Sequence, residues 1–378
     1  MPGHELIDKK EFLEISDLFK KSKTLFRMGF EDKRKGVFKV NKFEKKFAKK
    51  INTKFTLAVS SGTAALRVAL ASLNLKSTDE VITQSFTFVA TVESIVEARA
   101  IPVCTEIDDT LNMCPKDLEK KINKNTRAVI AVHMLGVPAK MIEIKKICKK
   151  NKITLIEDTA WGCGAKLNNK YLGTIGDIGA FSFDFAKTIT TGEGGMISFK
   201  SKKHFDLAKA WHDHGHENNP KLPRWEDSRK SSGFNFRMTE MQGAVGIAQL
   251  QKLDYIVKNQ RKIYDYIWSK IKYLPKIQKR SYPKNSYISA DALIFLVNNN
   301  HLAKRCREEL IKNKMSTKIL PEAFTWHFAG EWEHIKQLKI KHRNLKTAFP
   351  KSRKIIKRAV SIPINLKTSL SKLNIISK

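Results

Sequence analysis

The chain has 378 residues, 71 of them Lys or Arg against 37 Asp or Glu, for a formal net charge of +34. That length can bury a sizeable core, and a hydrophobic fraction of 42% excludes long disorder. No apolar run reaches the roughly 20 residues of a bilayer span, and the opening "MPGHELIDKKEFLEI" lacks the basic-then-apolar order of a signal peptide. Five cysteines (Cys104, Cys114, Cys148, Cys163, Cys306) form no C-x-x-C pair, which fits a reducing cytoplasm rather than a disulfide framework or zinc ribbon. The positive charge is spread in runs such as "KKFAKKINTK" and "KKICKKNK", beside Ile and Asn. There are no RNA-recognition aromatics, zinc-finger spacings or basic helices with heptads. The expectation is a solvated basic surface able to attract an anionic small substrate, with no nucleic-acid and no membrane partner.

In chain order, "KKEFLEISDLFKKSK" and "KVNKFEKKFAKKI" have apolar residues at three- and four-residue spacing and predict two amphipathic helices. From about residue 55 short apolar strands alternate with helices. "FTLAV" precedes "TAALRVALASL", "EVITQ" precedes "VATVESIVEA", and then come "IPVCTEI", "RAVIAVHM", the helix "MIEIKKICKKN" and "ITLIEDTA". This alternation predicts βαβ units and a large, mostly parallel sheet, an α/β fold. A long helix from Thr239 bridges to a smaller α/β domain containing the strand "YISADALIFLV" and the helix "HLAKRCREELIKN". The expected division is 1–255 for the N-terminal helices and large domain and 256–378 for the bridging helix and smaller domain. The closing "SIPINLKTSLSKLNIISK" leaves little room for a final helix.

Three stretches carry chemistry. "SSGTAALRVAL" places Ser61, Gly62 and Thr63 directly before a helix, where backbone N–H groups and hydroxyls make a phosphate cradle; an ordinary N-cap with Gly62 relieving a tight turn satisfies the same pattern. "ITLIEDTAWG" ends an apolar strand with Glu157 and Asp158. Ligands of doubly wound sheets sit beyond the carboxyl ends of strands, and side-chain alternation points one acid into the site and the other away. "FSFDFAKTITTGEGG" isolates Lys187 among apolar, hydroxyl and glycine residues, beside Ser182. A buried lysine has a lowered pKa and forms Schiff bases when neutral. Cradle, strand-end aspartate and isolated lysine, in this order, together suggest pyridoxal 5'-phosphate (PLP), whose phosphate, pyridine nitrogen and aldehyde need these three partners.

The segments "SSGTAAL", "QSFTFVATVESI", "IEDTAWGCGA", "GTIGDIGAFSFDFAKTITTGEGGM" and "GFNFRMTEMQGAVGIAQL" also resemble the DegT/DnrJ/EryC1/StrS family of sugar aminotransferases, roughly from Lys35 to Lys262. The resemblance implies a type I, aspartate-aminotransferase-like fold, PLP as cofactor, and a homodimer with the active site at the subunit interface. It implies Lys187 as the Schiff-base lysine, Asp158 as partner of the pyridine nitrogen, and Phe88 as the aromatic stacked on the ring. Gly62, Thr63 and Ser182 match phosphate contacts, and Asn235 matches an asparagine reaching the phosphate of the other subunit. Trp161 departs from the Gln or His of many members. Relatives with histidine in place of the lysine act as sugar 3-dehydratases; Lys187 favours the transaminase, which takes the amino group of L-glutamate and delivers it to a ketone or aldehyde of a sugar. A sugar dehydratase or a non-catalytic PLP-binding regulator is the alternative within the family.

Most relatives aminate nucleotide-linked 4-keto-6-deoxy sugars. "MPGHEL", "HDHGHENNP" and "LPEAFTWHFAGEWEHI" are instead similar to a branch that acts on an 8-oxo form of the acid sugar Kdo, giving 8-amino-3,8-dideoxy-manno-octulosonate. Both substrates stay open, with His214, Arg237 and His327 as candidate substrate contacts; a packed histidine and a structural ion pair are the plainer readings of His327 and Arg237. His212, Asp213, His214 and His216 cluster within "WHDHGHENNP". A substrate-contacting loop is expected there and no metal, since closely spaced histidines alone make a weak metal signature.

Overall fold

The computed structural model describes residues 2–219, 221–229, 231–322 and 324–367. The end of the chain, including the segment expected to leave little room for a final helix, lies largely outside them.

Seven strands form the main sheet: β1 (Phe55–Val59), β2 (Glu80–Gln84), β3 (Ile101–Thr105), β4 (Thr126–Val132), β5 (Thr154–Asp158), β6 (Ile178–Ser182) and β7 (Gly195–Phe199). Their order across the sheet is β1-β7-β6-β5-β4-β2-β3. Pairings among β2 to β6 are parallel, and only β7 runs antiparallel to its neighbours β1 and β6. The apolar runs read from the sequence are these strands, buried on both faces as parallel strands must be under covering helices.

Helices α1 (Lys9–Lys21) and α2 (Lys39–Ile51) precede the sheet. Then α3 (Gly62–Ala71) and α4 (Val89–Glu97) follow β1 and β2, and α5 (Lys202–Trp211) follows β7. The 32-residue α6 (Glu240–Ile271) is capped by Thr239, whose hydroxyl accepts from the Gln242 N–H while the Gln242 side chain reaches back to Thr239. A second, antiparallel three-stranded sheet, Gln278–Lys279, Ala292–Leu296 and Ala359–Pro363, lies beyond it. Among the described residues no helix is long and apolar enough to cross a membrane.

The carboxyl ends of β1, β2, β5 and β6 open onto one edge of the sheet. Each carries a short loop or a helix start, so Gly62, Phe88, Asp158 and Ser182 meet although the sequence spreads them widely.

Candidate active site

Along that edge lies a cavity of about 330 Å³, within the roughly 300–1,000 Å³ range of small-molecule sites. Ser61, Gly62, Thr63, Phe88, Asp158, Trp161, Ser182, Lys187 and His327 all line it. A larger cleft of about 660 Å³ between the 27–44 segment and the 218–227 loop contains neither Lys187 nor Asp158.

In the cavity wall Ser61 caps α3, its hydroxyl accepting from the Ala64 N–H at 3.0 Å. The first N–H groups of a helix lack intrahelical partners, and Gly62 and Thr63 head this one. Gly62 must be glycine for a steric reason: a Cβ there would lie 2.6 Å from Ser182 Cβ. The N-cap reading of the sequence therefore describes this turn, which also brings a free helix start against a serine hydroxyl. An anion fits this corner.

The two acids of β5 point apart. Glu157 is fully buried and accepts from His133 Nε2 (2.9 Å) and from the backbone N–H groups of Gly173 (3.0 Å), Ile175 (2.7 Å) and Gly176 (2.6 Å). Burial alone raises its pKa, but His133 and these amides more than offset it and hold the carboxyl below the ordinary value. Asp158 faces the cavity. Its oxygens accept from the Thr91 hydroxyl (2.9 Å) and the Ala160 N–H (3.1 Å), neither of them a cation. Burial therefore dominates and pushes its pKa up, which these two bonds and the Lys187 charge only moderate. Such a carboxyl suits a protonated ring nitrogen, which would supply the missing positive charge.

Lys187 sits in the loop between β6 and β7, its N–H donating to Asp184 O at 3.0 Å. Desolvation, with the nearby Lys318 charge, brings its amine down to about 8, while Asp291, Asp184 and Asp158 oppose the shift. Its Nζ lies 3.5 Å from the centre of the Trp161 ring. Phe88 caps the far wall, stacked on Trp326 at 5.9 Å and tilted against His327 at 5.5 Å. The residues present thus fit PLP on four counts: an anion cradle, a buried carboxyl bonded to neutral donors, a desolvated amine and an aromatic wall.

Three candidate residues do not line this cavity, one of them, Asn235, being expected at the other subunit's. Arg237 is bound to Asp213, which also receives Arg224 through two bonds at 2.8 and 2.6 Å. That is the plainer ion-pair reading. His214 is exposed on a left-handed turn (φ 56°). Asn235 is exposed beside Asp213, on a segment whose Phe236 accepts from the Ser60 N–H at the end of β1. The histidine cluster splits up: His212 is buried with Nδ1 at Lys209 O, its pKa driven down by burial and Arg27 to about 3, while His216 pairs with Asp227 at 3.1 Å.

The sequence did not reveal Thr91 as the neighbour of Asp158, the Lys318–Asp291 pair, or the seat of the N-terminal segment on the lysine loop. In that seat Gly3 N–H donates to Lys187 O at 3.3 Å and His4 stacks on Phe185 at 4.4 Å.

Residues 33–378 match the model of the DegT/DnrJ/EryC1/StrS aminotransferase family. The chain belongs to this family. It is a PLP-dependent sugar aminotransferase. A GDP-perosamine synthase of Vibrio cholerae is 32% identical over 339 residues, spanning 86% of this chain and 85% of that protein. Another, from Escherichia coli O157:H7, is 37% identical over 243 residues, 64% of this chain and 65% of that protein. The solved structure of Helicobacter pylori PseC, an aminotransferase involved in the biosynthesis of pseudoaminic acid, superposes with a TM-score of 0.83 at 24% identity, over 98% of this chain and 95% of that one. The fold expected from the resemblance is the observed one.

Proposed function

We propose that this aminotransferase takes its amino group from L-glutamate and delivers it to the carbonyl carbon of a nucleotide-linked 4-keto-6-deoxy sugar. The observation that carries the transaminase reading is the desolvated Lys187 amine sharing one cavity with the strand-end Asp158. Gly62, Thr63 and Ser182 hold the cofactor phosphate, Phe88 covers the ring, and Asp158 keeps the ring nitrogen protonated. Bound there, PLP supplies the electron sink that makes the Cα–H of an amino acid acidic. Lys187 Nζ, neutral in a large fraction of molecules near pH 8, takes that proton and returns one at the sugar carbon. Trp161 lies against the amine, and it and Phe88 both line the cavity. A lysine at this position, where the dehydratases carry histidine, supports amination over dehydration.

The nucleotide-sugar reading rests on the two GDP-perosamine synthases. One observation favours the 8-oxo-Kdo reading: of the segments similar to that branch, "LPEAFTWHF" reaches the cavity through His327, with Trp326 stacked on Phe88, and "MPGHEL" packs on the lysine loop through Gly3 and His4. His327 is then the substrate contact; His214 and Arg237 reach substrate only by way of a second subunit.

The same holds for Asn235. Its exposure, with Phe185, Trp225 and Phe234 also exposed, supports a homodimer in which it completes the partner's cradle.

Protein loaded with pyridoxamine phosphate should convert GDP-4-keto-6-deoxymannose to an amino sugar detected by mass spectrometry. Conversion of 8-oxo-Kdo alone assigns the octulosonate substrate, and conversion of neither overturns both substrate readings.

A further inference from the structure

Trp161 is a shared platform. Besides the Lys187 amine at 3.5 Å from its ring centre, it carries a second lysine, Lys318, whose Nζ lies 4.8 Å from the same centre. Lys318 does not line the cavity. It is anchored by Asp291, Nζ to Oδ2 at 2.6 Å, and the two side chains are only 10% and 3% exposed. Both flank the second sheet, Asp291 directly before the strand Ala292–Leu296 and Lys318 on a loop bonded to Ala359–Pro363. The Lys318 N–H donates to Ser361 O at 3.0 Å, the Ser361 hydroxyl donates back to Lys318 O, and the Ile364 N–H donates to Asp291 O at 3.2 Å. The Trp161 main chain is held by the Ser289 hydroxyl, which donates to its carbonyl oxygen at 3.2 Å.

This arrangement has a direction. An ion pair is neutral from afar, but at short range the nearer charge acts more strongly. Two lysine amines share one indole while the Asp291 carboxylate grips Lys318, and the Lys318 charge acts on Lys187 ahead of that of Asp291. A cation beside a desolvated lysine favours the neutral amine, the form that attacks a carbonyl and accepts a proton.

We propose that Lys318, held by Asp291 against the indole that also carries Lys187, is a positioning residue that keeps the catalytic amine neutral and couples it to the second sheet. This rests on Lys187 being the catalytic amine. The other charges around Lys187 are Asp184 on its own loop and Asp158 on β5, with Glu193 and His327 on the cavity wall. Of the groups acting on its proton affinity, Lys318 follows desolvation and outweighs Asp291.

The test reads the amine without any cofactor chemistry. PLP-free protein is pulse-labelled with acetic anhydride between pH 6 and 10, and acetylation of Lys187 is followed by peptide mass spectrometry. Wild type should show a midpoint near 8. Lys318→Met should raise the midpoint and cut Lys187 labelling at pH 7 by roughly three- to tenfold, Lys318→Arg should keep the wild-type midpoint, and Asp291→Asn should lower it. If Lys318→Met fails to fold, the double variant Asp291→Asn with Lys318→Met leaves no charge buried alone, and its midpoint should lie above that of Asp291→Asn, which keeps the Lys318 charge. A midpoint not above wild type in Lys318→Met, or not above Asp291→Asn in the double variant, overturns the proposal. Failure of the transaminase reading would show separately, as transamination surviving in Lys187→Ala.

Discussion

Glu157 and Asp158 are neighbours on β5, equally acidic by type and both buried, yet they do opposite work. On one side of the strand four donors, three of them amides of the Gly173–Gly176 turn, close around Glu157 and leave no room for a ligand. On the other side two neutral donors leave Asp158 short of a counter-charge and facing a cavity. A buried carboxyl surrounded by donors stabilises the fold, and one left under-compensated at a cavity wall is available for a ligand. The difference lies in what the two faces of one strand meet, not in the residue type.

The comparison can be broken from either side. Asp158→Asn should lower kcat by roughly 10²–10³-fold while the PLP-free protein melts no lower than wild type at neutral pH. The sign follows from its raised pKa: the folded state favours the protonated form, so ionising Asp158 costs stability as pH climbs above the ordinary carboxylate range, and asparagine removes that cost. Glu157→Gln should do the reverse, destabilising the fold by about 3 kcal/mol and leaving kcat per folded molecule within a few-fold of wild type. Its lowered pKa means that the stability it contributes is present above its unfolded value and fades as pH falls through the folded one. Urea titrations at pH 7 and 4 separate the two acids: the wild-type loss of stability on acidification shrinks in Glu157→Gln and not in Asp158→Asn.

Smaller effects sharpen the cavity side. Gly62→Ala forces a Cβ onto Ser182 and should weaken PLP binding about tenfold, read by equilibrium dialysis, for an overpacking cost of roughly 1–2 kcal/mol. Thr91→Val removes one of the two hydrogen bonds to Asp158 and should cost about 1 kcal/mol in the same assay. The least effect is expected from His214→Ala on an exposed turn, which should leave PLP binding unchanged.

Much of this was legible in the chain. Parallel strands buried on both faces read as apolar runs, and β1 to β5 fell where those runs do. Strand alternation foretold that one acid of β5 faces inward, and the polar isolation of Lys187 marked it before any contact was known. What escaped was whatever depends on distant pieces meeting. Thr91 and Asp158 are 67 positions apart, and Lys318 meets Trp161 only because the second sheet packs behind the indole. Nor did the sequence show that the histidine run splits up, with His212, His214 and His216 directed to a buried carbonyl, solvent and Asp227. For Arg237 the ion-pair reading was open in the sequence, but its partner, Asp213, was not named there.

The central claim is that Lys187 and Asp158 build a PLP site. It is tested most directly by the visible spectrum of wild type and Lys187→Ala, each incubated with PLP and dialysed side by side. Wild type should retain a visible absorption band that Lys187→Ala lacks; a wild-type protein that stays colourless, or a band that survives in Lys187→Ala, would contradict it.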